Sequence, residues 1–182
     1  MILTISGLHG TGKSTIAKLI AQALRIKYYS TGQAFRDLAI EMNMTLEEFT
    51  KYVEEHPEID NKLDNKVIDV AKQGNIIVDS QLSGYLLKDI ADIRMHLTCP
   101  LETRVKRIAL RDNISFEDSM KETILREKSE LERFKHLYNI ELSNTARIKE
   151  IHDVIPATEG LTIKQVLNNL LQIIKNKKLK KS

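Results

Sequence analysis

The sequence is short of cysteine, tryptophan and long apolar runs. The chain of 182 residues contains one cysteine, Cys99, and no tryptophan. A single cysteine excludes a disulfide within the chain and favours a reducing compartment, which here we expect to be the cytoplasm. No apolar run approaches the ~20 residues that a membrane-spanning helix needs. The apolar start, residues 1–6, lacks the basic segment of a signal peptide and is predicted to be a buried strand.

Proline and glycine are also scarce, with three and seven residues, and no internal repeat is visible. Hydrophobic residues make up 42% of the chain and charged residues 29%, a balance typical of one globular α/β domain. The net charge of +3 comes from the C-terminus, where five lysines stand within the last eight residues. We expect a solvated helix end there, and a basic arm that contacts RNA is the alternative.

Apolar runs and helical patterns alternate along the chain, which predicts a parallel sheet covered by helices. We predict five strands, at residues 2–6, 27–30, 75–79, 93–99 and 152–155. An amphipathic helix over residues 14–24 joins the first two. Within the single domain, residues 1–182, two connections are longer than a crossover requires. These helical insertions, residues 31–74 and residues 104–150, are predicted to cover a bound substrate.

Local signals mark the start of several helices inside the two insertions. Residues 45–48 read Thr-Leu-Glu-Glu, which is a capping box, and Pro57 is suited to the first turn of the next helix. Ser115 precedes Phe-Glu-Asp and is a candidate N-cap. The insertions are therefore predicted to be ordered helices.

Residues 7–14 read Gly-Leu-His-Gly-Thr-Gly-Lys-Ser, a full match to the phosphate-binding loop G-x-x-x-x-G-K-[ST]. Backbone N–H groups of such a loop surround phosphate oxygens at a helix N-terminus. Lys13 is predicted to reach the β- and γ-phosphates of ATP, and the Ser14 hydroxyl to coordinate Mg²⁺. We interpret His9, at a variable position, as a surface variant. The predicted ATP-binding residues of this segment are Gly7, Leu8, His9, Gly10, Thr11, Gly12, Lys13, Ser14 and Thr15.

The class of phosphate-binding-loop protein depends on the rest of the sequence. The guanine-reading pattern N-K-x-D of GTPases occurs at residues 61–64, but it lies in a predicted amphipathic helix, residues 58–72, before the third strand. We interpret it as a coincidence. Asp79 ends the third predicted strand, at the edge where open α/β sheets bind ligands. A carboxylate there can hold Mg²⁺ through water or orient an attacking phosphate.

Arginines are placed where a kinase for a phosphorylated acceptor needs cations around two phosphate groups. Arg36 follows the second predicted strand, and three arginines, Arg104, Arg107 and Arg111, follow the fourth. Arg126 and Arg133 are seven residues apart on one predicted helix, hence on one face and about 10 Å apart along its axis. Surface salt bridges with neighbouring glutamates are the alternative for that pair.

Nearly the whole chain resembles the nucleoside monophosphate kinases, and most closely the archaeal-type cytidylate kinases. Beyond the phosphate-binding loop, the similar segments are S-T-G-x-x-x-R at 30–36, T-L-E-E-F-T-K-Y at 45–52, P-E-I-D-N-K-L-D at 57–64, L-S-G at 82–84, C-P-L-E-T-R-V-K-R-I at 99–108 and R-E-K-S-E-L-E-R at 126–133. The resemblance implies a P-loop NTPase fold with strand order 2-3-1-4-5, an acceptor-binding insertion (31–74) and an arginine-rich helical lid (104–150).

The resemblance also implies roles for individual residues. ATP would additionally meet Arg107, Arg111 and Ala157. Catalysis would depend on Lys13, Asp79, Arg126 and Arg133, with Mg²⁺ as cofactor held by Ser14 and, through water, by Asp79. The acceptor-binding residues would be Thr31, Gly32, Arg36, Asp60, Gln81 and Gly84.

One departure concerns the acceptor. Members of the family usually carry G-R-L-[AS]-G after the third strand's carboxylate, whereas residues 80–84 here read Ser-Gln-Leu-Ser-Gly, so neutral Gln81 replaces an arginine. We expect phosphorylation of CMP or dCMP by ATP. The alternatives are another acceptor, such as AMP, UMP or a non-nucleotide, and a nucleotide-dependent binding protein that associates with RNA through its lysine tail.

Overall fold

The centre of the molecule is a parallel four-stranded sheet. The structure is a computed structural model that describes residues 1–181, without the side chains of Lys178, Lys180 and Lys181. The strands are β1 (Ile2–Ser6), β2 (Lys27–Ser30), β3 (Ile76–Asp79) and β4 (Ile93–His96), in the order β2-β3-β1-β4. The α/β fold is confirmed, and the first four strands lie where the sequence predicts them, with β3 and β4 ending or beginning slightly inside the predicted ranges.

The fifth predicted strand, at residues 152–155, is reduced to two isolated parallel bridges. Met95 pairs with Val154 and Thr98 with Ala157. His96 N donates to Val154 O at 2.8 Å, and Thr98 N donates to Pro156 O at 3.0 Å. Between these two bonds a regular parallel ladder needs the N–H of residue 156, which proline lacks. The chain therefore follows β4 in the fifth position without completing a strand.

Helices cover both faces of the sheet. On one face, α1 (Lys13–Leu24) and the C-terminal helix α9 (Ile163–Lys181) pack on Leu3, Ile5 and Met95. On the opposite face, Val67 and Ala71 of α4 (Pro57–Lys72) pack on Val78. Alternate residues of a strand point to opposite faces, so both apolar surfaces of the short strands are buried. The short helix α5 (Ser83–Leu86) follows β3.

Residues 31–74 form three helices, α2 (Thr31–Glu41), α3 (Leu46–Glu55) and α4. The predicted capping box is present, because Glu48 N donates to Thr45 Oγ1 and Thr45 N donates to Glu48 Oε2 at 2.8 Å. Pro57 occupies the first turn of α4, as predicted. Phe35 and Phe49 meet edge to face with ring centroids 4.7 Å apart. The three helices thus have a small core of their own. The N-K-L-D segment lies inside α4.

Residues 101–151 form a second helical excursion, with α6 (Leu101–Asp112), α7 (Phe116–Tyr138) and α8 (Thr145–Ile151). Ser115 caps α7 as predicted, and its Oγ accepts from Asp118 N at 3.0 Å. Ser119 Oγ donates to Val105 O at 3.1 Å and joins α7 to α6. The long helix α7 is thereby held along the side of the molecule.

The C-terminal helix α9 continues to Lys181. Near its end, Lys177 forms an ion pair with Asp153 at 2.9 Å. Three of the other tail lysines have side chains outside the described set, so the RNA contact stays an untested prediction. Within residues 1–181, no helix combines the length and the apolar character needed to cross a membrane.

Candidate active site

A cleft of about 1070 Å³ opens at the carboxyl edge of the sheet. Its walls are the loop between β1 and α1, the start of α2, the inner face of α4, the end of β3 and the facing sides of α6 and α7. The predicted site residues that line it are His9, Gly10, Thr11, Gly12, Lys13, Ser14, Thr15, Thr31, Gly32, Arg36, Asp60, Asp79, Gln81, Arg107, Arg111, Arg126 and Arg133. The fold therefore gathers segments far apart in sequence around one space.

Four predicted site residues stand outside the lining that the described residues form: Gly7, Leu8, Gly84 and Ala157. Gly7 is buried with φ of 138°, and a Cβ there would come within 2.5 Å of Leu97 O. A Cβ on Gly84 would come within 2.2 Å of His152 Nε2, so this glycine permits close packing below the cleft. Ala157 is exposed beside β4. These residues support the site rather than line it.

The phosphate-binding loop is closed by its own backbone and by one hydroxyl. Thr11 Oγ1 donates to Leu8 O at 2.8 Å. Gly10 and Gly12 have φ of 77° and 90°, a left-handed conformation that favours glycine. Helix α1 begins at Lys13 directly after the loop. Its free N–H groups and the positive end of its dipole point to the region where phosphates bind.

Lys13 and Asp79 lie near one another at the base of the cleft. Burial lowers the pKa of the Lys13 ammonium, and the carboxylates of Asp79 and Glu130 act in the opposite direction. The Tyr28 hydroxyl donates to Asp79 Oδ2 at 2.9 Å, and burial together with the Asp79 charge raises the pKa of Tyr28 to about 12. Asp79 Oδ1 is buried and has no hydrogen-bond partner among the described residues.

The same region has the oxygen ligands that Mg²⁺ prefers. Ser14 is exposed at the start of α1 and lines the cleft. Asp79 supplies the carboxylate oxygen Oδ1, which none of the described residues hydrogen-bonds. A hydroxyl and a carboxylate, completed by phosphate oxygens and water, form a usual magnesium environment. The residues present therefore fit the metal.

One end of the cleft joins the phosphate-binding loop to the segment after the fifth sheet position. Arg107 Nη1 donates to Thr158 Oγ1 at 3.0 Å, and its Nη2 donates to Thr158 O at 2.9 Å. The apolar side chains of Leu161 and Ile163 line this end. Arg111 is exposed and pairs with Asp112 at 2.6 Å. This end can accept a flat, apolar ring next to cationic groups.

The other end of the cleft begins at the N-terminus of α2. Ser30 caps this helix, because its Oγ accepts from Gln33 N at 3.3 Å. Arg36 is exposed one turn into the helix, and its Nη2 donates to Gln33 Oε1 at 2.9 Å. Thr31 Oγ1 is buried, and it makes no hydrogen bond within the part of the chain that the structure describes. A helix N-terminus and an arginine together favour an anionic group.

An acid–base pair lies deeper at this end. Arg133 Nε of α7 is 3.0 Å from Asp60 Oδ2 of α4, and both side chains are about one-tenth exposed. The pair is poorly aligned, so Asp60 Oδ2 and Arg133 Nη1 have no hydrogen bond among the described residues. Burial raises the pKa of Asp60, and the Arg133 charge opposes this. Burial also raises the pKa of neighbouring Asp64, to about 6. The pocket is polar, and its hydrogen bonding is incomplete.

Sequence reasoning missed Glu130, the buried carboxylate at the centre of the cleft. Its Oε2 lies 2.6 Å from His9 Nε2 and 2.7 Å from Gln81 Nε2. Its Oε1 accepts from Arg126 Nε at 3.1 Å. The interpretation of His9 as a surface variant is wrong, because only 18% of its side chain is exposed and it contacts α7. The sequence left two interpretations of Arg126, a phosphate contact or a surface salt bridge with a neighbouring glutamate. The salt bridge is present, but it lies inside the cleft.

Arg104 has a structural position that the sequence did not indicate. Its guanidinium donates to His9 O at 2.9 Å and to Cys99 O at 3.1 Å. It also forms an ion pair with Glu127 of α7. Arg104 is buried and joins α6, α7 and the phosphate-binding loop. The available signal was the spacing on α7, where Glu130 follows Arg126 by four residues and Glu127 by three, which places each pair on one helix face.

Comparison with known proteins agrees with this geometry. A family model described as an AAA domain matches residues 3–135. The curated cytidylate kinase of Methanocaldococcus jannaschii is 39% identical over 181 residues, covering 98% of this chain and 99% of that protein. The chain belongs to the cytidylate kinase family. The cytidylate kinase of Sulfurisphaera tokodaii is 43% identical over 162 residues, 88% of each chain.

Solved structures support the same fold for this cytidylate kinase family member. A protein from Eubacterium ventriosum superposes with a TM-score of 0.72 at 13% identity, over 97% of this chain and 98% of that one. Shikimate kinase from Acinetobacter baumannii in complex with shikimate gives a TM-score of 0.64 at 15% identity, over 98% and 94% of the two chains. At such identities the likeness establishes the fold alone.

Proposed function

We propose that this cytidylate kinase family member transfers the γ-phosphoryl group of ATP to CMP or dCMP, with ADP and CDP or dCDP as products. One observation carries the proposal. A single cleft joins a complete phosphate-binding loop, with Lys13 and Ser14, to a polar pocket formed by Asp60 and Arg133. Two substrates can therefore lie end to end, as direct phosphoryl transfer requires.

The ATP half of the cleft supplies positive charge to the phosphates. Lys13 would contact the β- and γ-phosphates, and the exposed Arg111 and the partly exposed Arg126 would approach from α6 and α7. The apolar end at Leu161 and Ile163 would receive the adenine. Mg²⁺ bound with ATP neutralises charge on the β- and γ-phosphate oxygens, and Ser14 and, through water, Asp79 are the residues that would hold it.

The acceptor half would begin at α2. Thr31 and Gly32 at the helix N-terminus, with Arg36, would bind the phosphate of the monophosphate. We assign residues 31–74 as the acceptor-binding insertion and residues 104–150 as the lid. The lid would exclude water, which is the competing acceptor for the γ-phosphoryl group.

Asp60 and Arg133 would read the base. They present a hydrogen-bond acceptor beside donors, with Asp60 Oδ2 and Arg133 Nη1 lacking hydrogen bonds among the described residues. Cytosine carries the matching edge, an exocyclic amine beside an acceptor ring nitrogen. Uracil would place a carbonyl oxygen against the Asp60 carboxylate. A site that leaves a polar group unpaired with the wrong substrate discriminates strongly, so this pair favours cytosine.

The remaining assignments follow from composition. The single cysteine supports action in a reducing compartment, the cytoplasm. ATP and a nucleoside monophosphate suffice as binding partners for the reaction.

The proposal is tested with a panel of acceptors, CMP, dCMP, UMP, AMP and shikimate, with ADP release as the readout. We expect the highest kcat/KM with CMP or dCMP. A preference for another acceptor, or ADP release that no acceptor accelerates, would contradict the proposal.

Asp60→Asn tests the base-reading pair in the same assay. An amide can turn its N–H₂ group toward a uracil carbonyl, so we expect the CMP/UMP ratio of kcat/KM to fall by ~10-fold or more. Asp69→Asn, an exposed site on the same helix, is the matched control and should keep the ratio. An unchanged ratio in Asp60→Asn would remove the pair from base recognition.

A further inference from the structure

Four residues from three parts of the chain meet at one buried carboxylate. They are Glu130 and Arg126 of α7, His9 of the phosphate-binding loop and Gln81 from the loop after β3, and we call them the Glu130 cluster. The Glu130 side chain is 11% exposed and His9 is 18% exposed. Because the carboxylate is held from three sides, its position relative to the phosphate-binding loop is fixed.

The distances within the Glu130 cluster determine which of its atoms carry hydrogens. Glu130 Oε2 is 2.6 Å from His9 Nε2 and 2.7 Å from Gln81 Nε2. An ionised carboxylate only accepts, so both nitrogens donate to it and His9 Nε2 carries a hydrogen. The 3.1 Å separation of the two nitrogens is then a contact between two donors that converge on one oxygen. Burial acts to raise the pKa of Glu130, but His9, Arg126 and Gln81 outweigh it and hold that pKa well below its usual range.

The second carboxylate oxygen holds Arg126. Glu130 Oε1 accepts from Arg126 Nε at 3.1 Å, and about a third of the Arg126 side chain is exposed. A guanidinium fixed through Nε still presents its two terminal nitrogens, which match two oxygens of a phosphate. Arg126 and Lys13 line the same cleft. Glu130 therefore sets the direction from which Arg126 can approach a phosphate near Lys13.

The connection between His9 and α7 is double. The side chain of His9 contacts Glu130, and its carbonyl oxygen accepts from Arg104 Nη1 at 2.9 Å. Arg104 in turn pairs with Glu127, the residue next to Arg126 on α7. The phosphate-binding loop and α7 are thus joined through both the side chain and the backbone of one residue.

We propose that Glu130 is a positioning residue for phosphoryl transfer: held by His9 and Gln81, it orients Arg126 toward the transferring phosphoryl group. The proposal rests on the proposed kinase activity and adds roles for Glu130 and His9. His9 is the residue of the phosphate-binding loop that binds α7, through its hydrogen bond to Glu130. Gln81 also binds Glu130 and does not contact the acceptor. Glu130 makes no contact with substrate, and it acts on the transferring phosphoryl group through Arg126.

The variant Glu130→Gln distinguishes a role of Glu130 in orienting Arg126 from a role in packing alone. The amide has the shape of the carboxylate but only one accepting oxygen, so it cannot receive both the His9/Gln81 donors and Arg126. We expect kcat to fall by ~10-fold, a part of the ~100-fold typical of losing one oriented donor. The KM for CMP should change less than ~2-fold, because the acceptor pocket is untouched. Glu132→Gln, exposed on the same helix, should behave as the unmodified protein.

A double-mutant cycle with Arg126→Ala decides whether Glu130 acts through that arginine. If it does, Glu130→Gln changes kcat by less than ~2-fold once Arg126 is absent, because residues that act as a unit are not additive. The same ~10-fold loss in both backgrounds would overturn the proposal, as would full activity in Glu130→Gln. Thermal unfolding of each variant identifies losses that come from misfolding.

The loop side of the cluster is tested with two variants at position 9. Gln in place of His9 retains an N–H donor at a similar reach, whereas Leu retains bulk without a donor. We expect His9→Gln to keep most of kcat and His9→Leu to match Glu130→Gln; equal losses in both would exclude the hydrogen bond. Should CMP fail as an acceptor, the proposed function falls, and the same cycle measured on ATP hydrolysis in water still decides the role of Glu130.

Discussion

Lys13 carries a charge that burial opposes. Burial lowers the pKa of its ammonium, and Asp79 and Glu130 support the protonated form. A charge held in place before the reaction contributes most to the transition state, when negative charge grows on the transferring group. We predict that Lys13→Ala lowers kcat by at least ~100-fold. Its unfolding temperature should stay near that of the unmodified protein, because the lysine carries no apolar packing in the core. Turnover close to normal would contradict the assignment.

Arg36 provides a test of the acceptor side at the same scale. It stands one turn into α2 and is exposed. We predict that Arg36→Ala raises the KM for CMP by ~10-fold or more, the loss expected for a charge-assisted contact with phosphate. The KM for ATP should change less than ~2-fold. Saturation curves for each substrate measure this, with Arg147→Ala on α8 as the exposed control. A larger effect on ATP would reverse the assignment.

At the scale of elements, the end of β1 is supported by a buried chain of hydrogen bonds. Ser6 Oγ lies 2.9 Å from both His96 Nδ1 and His152 Nε2, and His152 Nδ1 lies 2.9 Å from Ile148 O. Because a carbonyl only accepts, His152 carries its hydrogen on Nδ1 and its Nε2 accepts from Ser6. Ser6 in turn accepts from His96 Nδ1–H. Both imidazoles are neutral, and they fix the strand from which the phosphate-binding loop starts.

This chain of hydrogen bonds predicts a loss of stability in acid. Burial, with His152 and Lys13 acting in the same direction, lowers the pKa of His96 to about 4, and burial also lowers the pKa of His152. Both imidazoles titrate near 6.5 in the unfolded chain. Between pH 6.5 and about 4 the unfolded chain therefore binds more protons, and the free energy of unfolding falls as the pH falls. Asn at position 96 keeps a donor without titrating. In His96→Asn the free energy of unfolding, measured by urea titration at several pH values, should therefore fall less steeply as the pH falls. The same pH dependence in the variant and in the unmodified protein would contradict the prediction.

Ser6→Ala tests the same chain at neutral pH. It leaves a buried donor on His96 and a buried acceptor on His152 unpaired, so we predict a loss of ~1–3 kcal/mol in the free energy of unfolding. Thr4 on the same strand is the matched control, because its buried hydroxyl has no hydrogen-bond partner among the described residues. Thr4→Val should keep or raise stability. A loss in Thr4→Val as large as in Ser6→Ala would attribute the effect to strand packing.

Elements with strong local signals could be predicted from the sequence. The glycine pattern placed the phosphate-binding loop, and Thr45, Pro57 and Ser115 marked helix starts correctly because capping depends on neighbouring residues. The prediction of a regular fifth strand was wrong in its extent. The missing N–H of Pro156 interrupts the strand only because this segment pairs with β4, and that pairing cannot be read from the sequence. Glu130 was missed because a glutamate among alternating charges looks like a solvated helix surface, and its burial depends on how α7 approaches the phosphate-binding loop.

At the scale of the whole molecule, α7 connects the two halves of the cleft. It reaches the phosphate-binding loop through Glu130, and it reaches the α3–α4 region through Arg133, which pairs with Asp60 at 3.0 Å, and through Ser129, which donates to Glu54. Its 23 residues contain no proline or glycine, the usual causes of a sharp bend. Movement of α7 toward one half therefore moves it relative to the other.

This arrangement predicts that the two substrates bind cooperatively. CMP should lower the Kd of a non-hydrolysable ATP analogue by ~5-fold or more, and the analogue should lower the Kd of CMP by the same factor, as linkage requires. Calorimetric titrations in both orders measure this. Arg133→Lys, which retains charge but loses the fixed fork of the guanidinium, should weaken the coupling. Independent affinities in the unmodified protein would show that α7 does not link the halves.

The unpaired polar atoms of the cleft have a consequence for evolution and for engineering. Two buried oxygens that line it, Thr31 Oγ1 and Asp79 Oδ1, have no hydrogen bond among the described residues. A buried polar atom that is left unpaired costs about 1–3 kcal/mol of stability. Substitutions that raise the free energy of unfolding are therefore expected at these positions, for instance Thr31→Val. Selection for heat resistance alone would first replace residues that bind substrate. Substitutions that raise thermal stability at the cleft are therefore expected to lower activity.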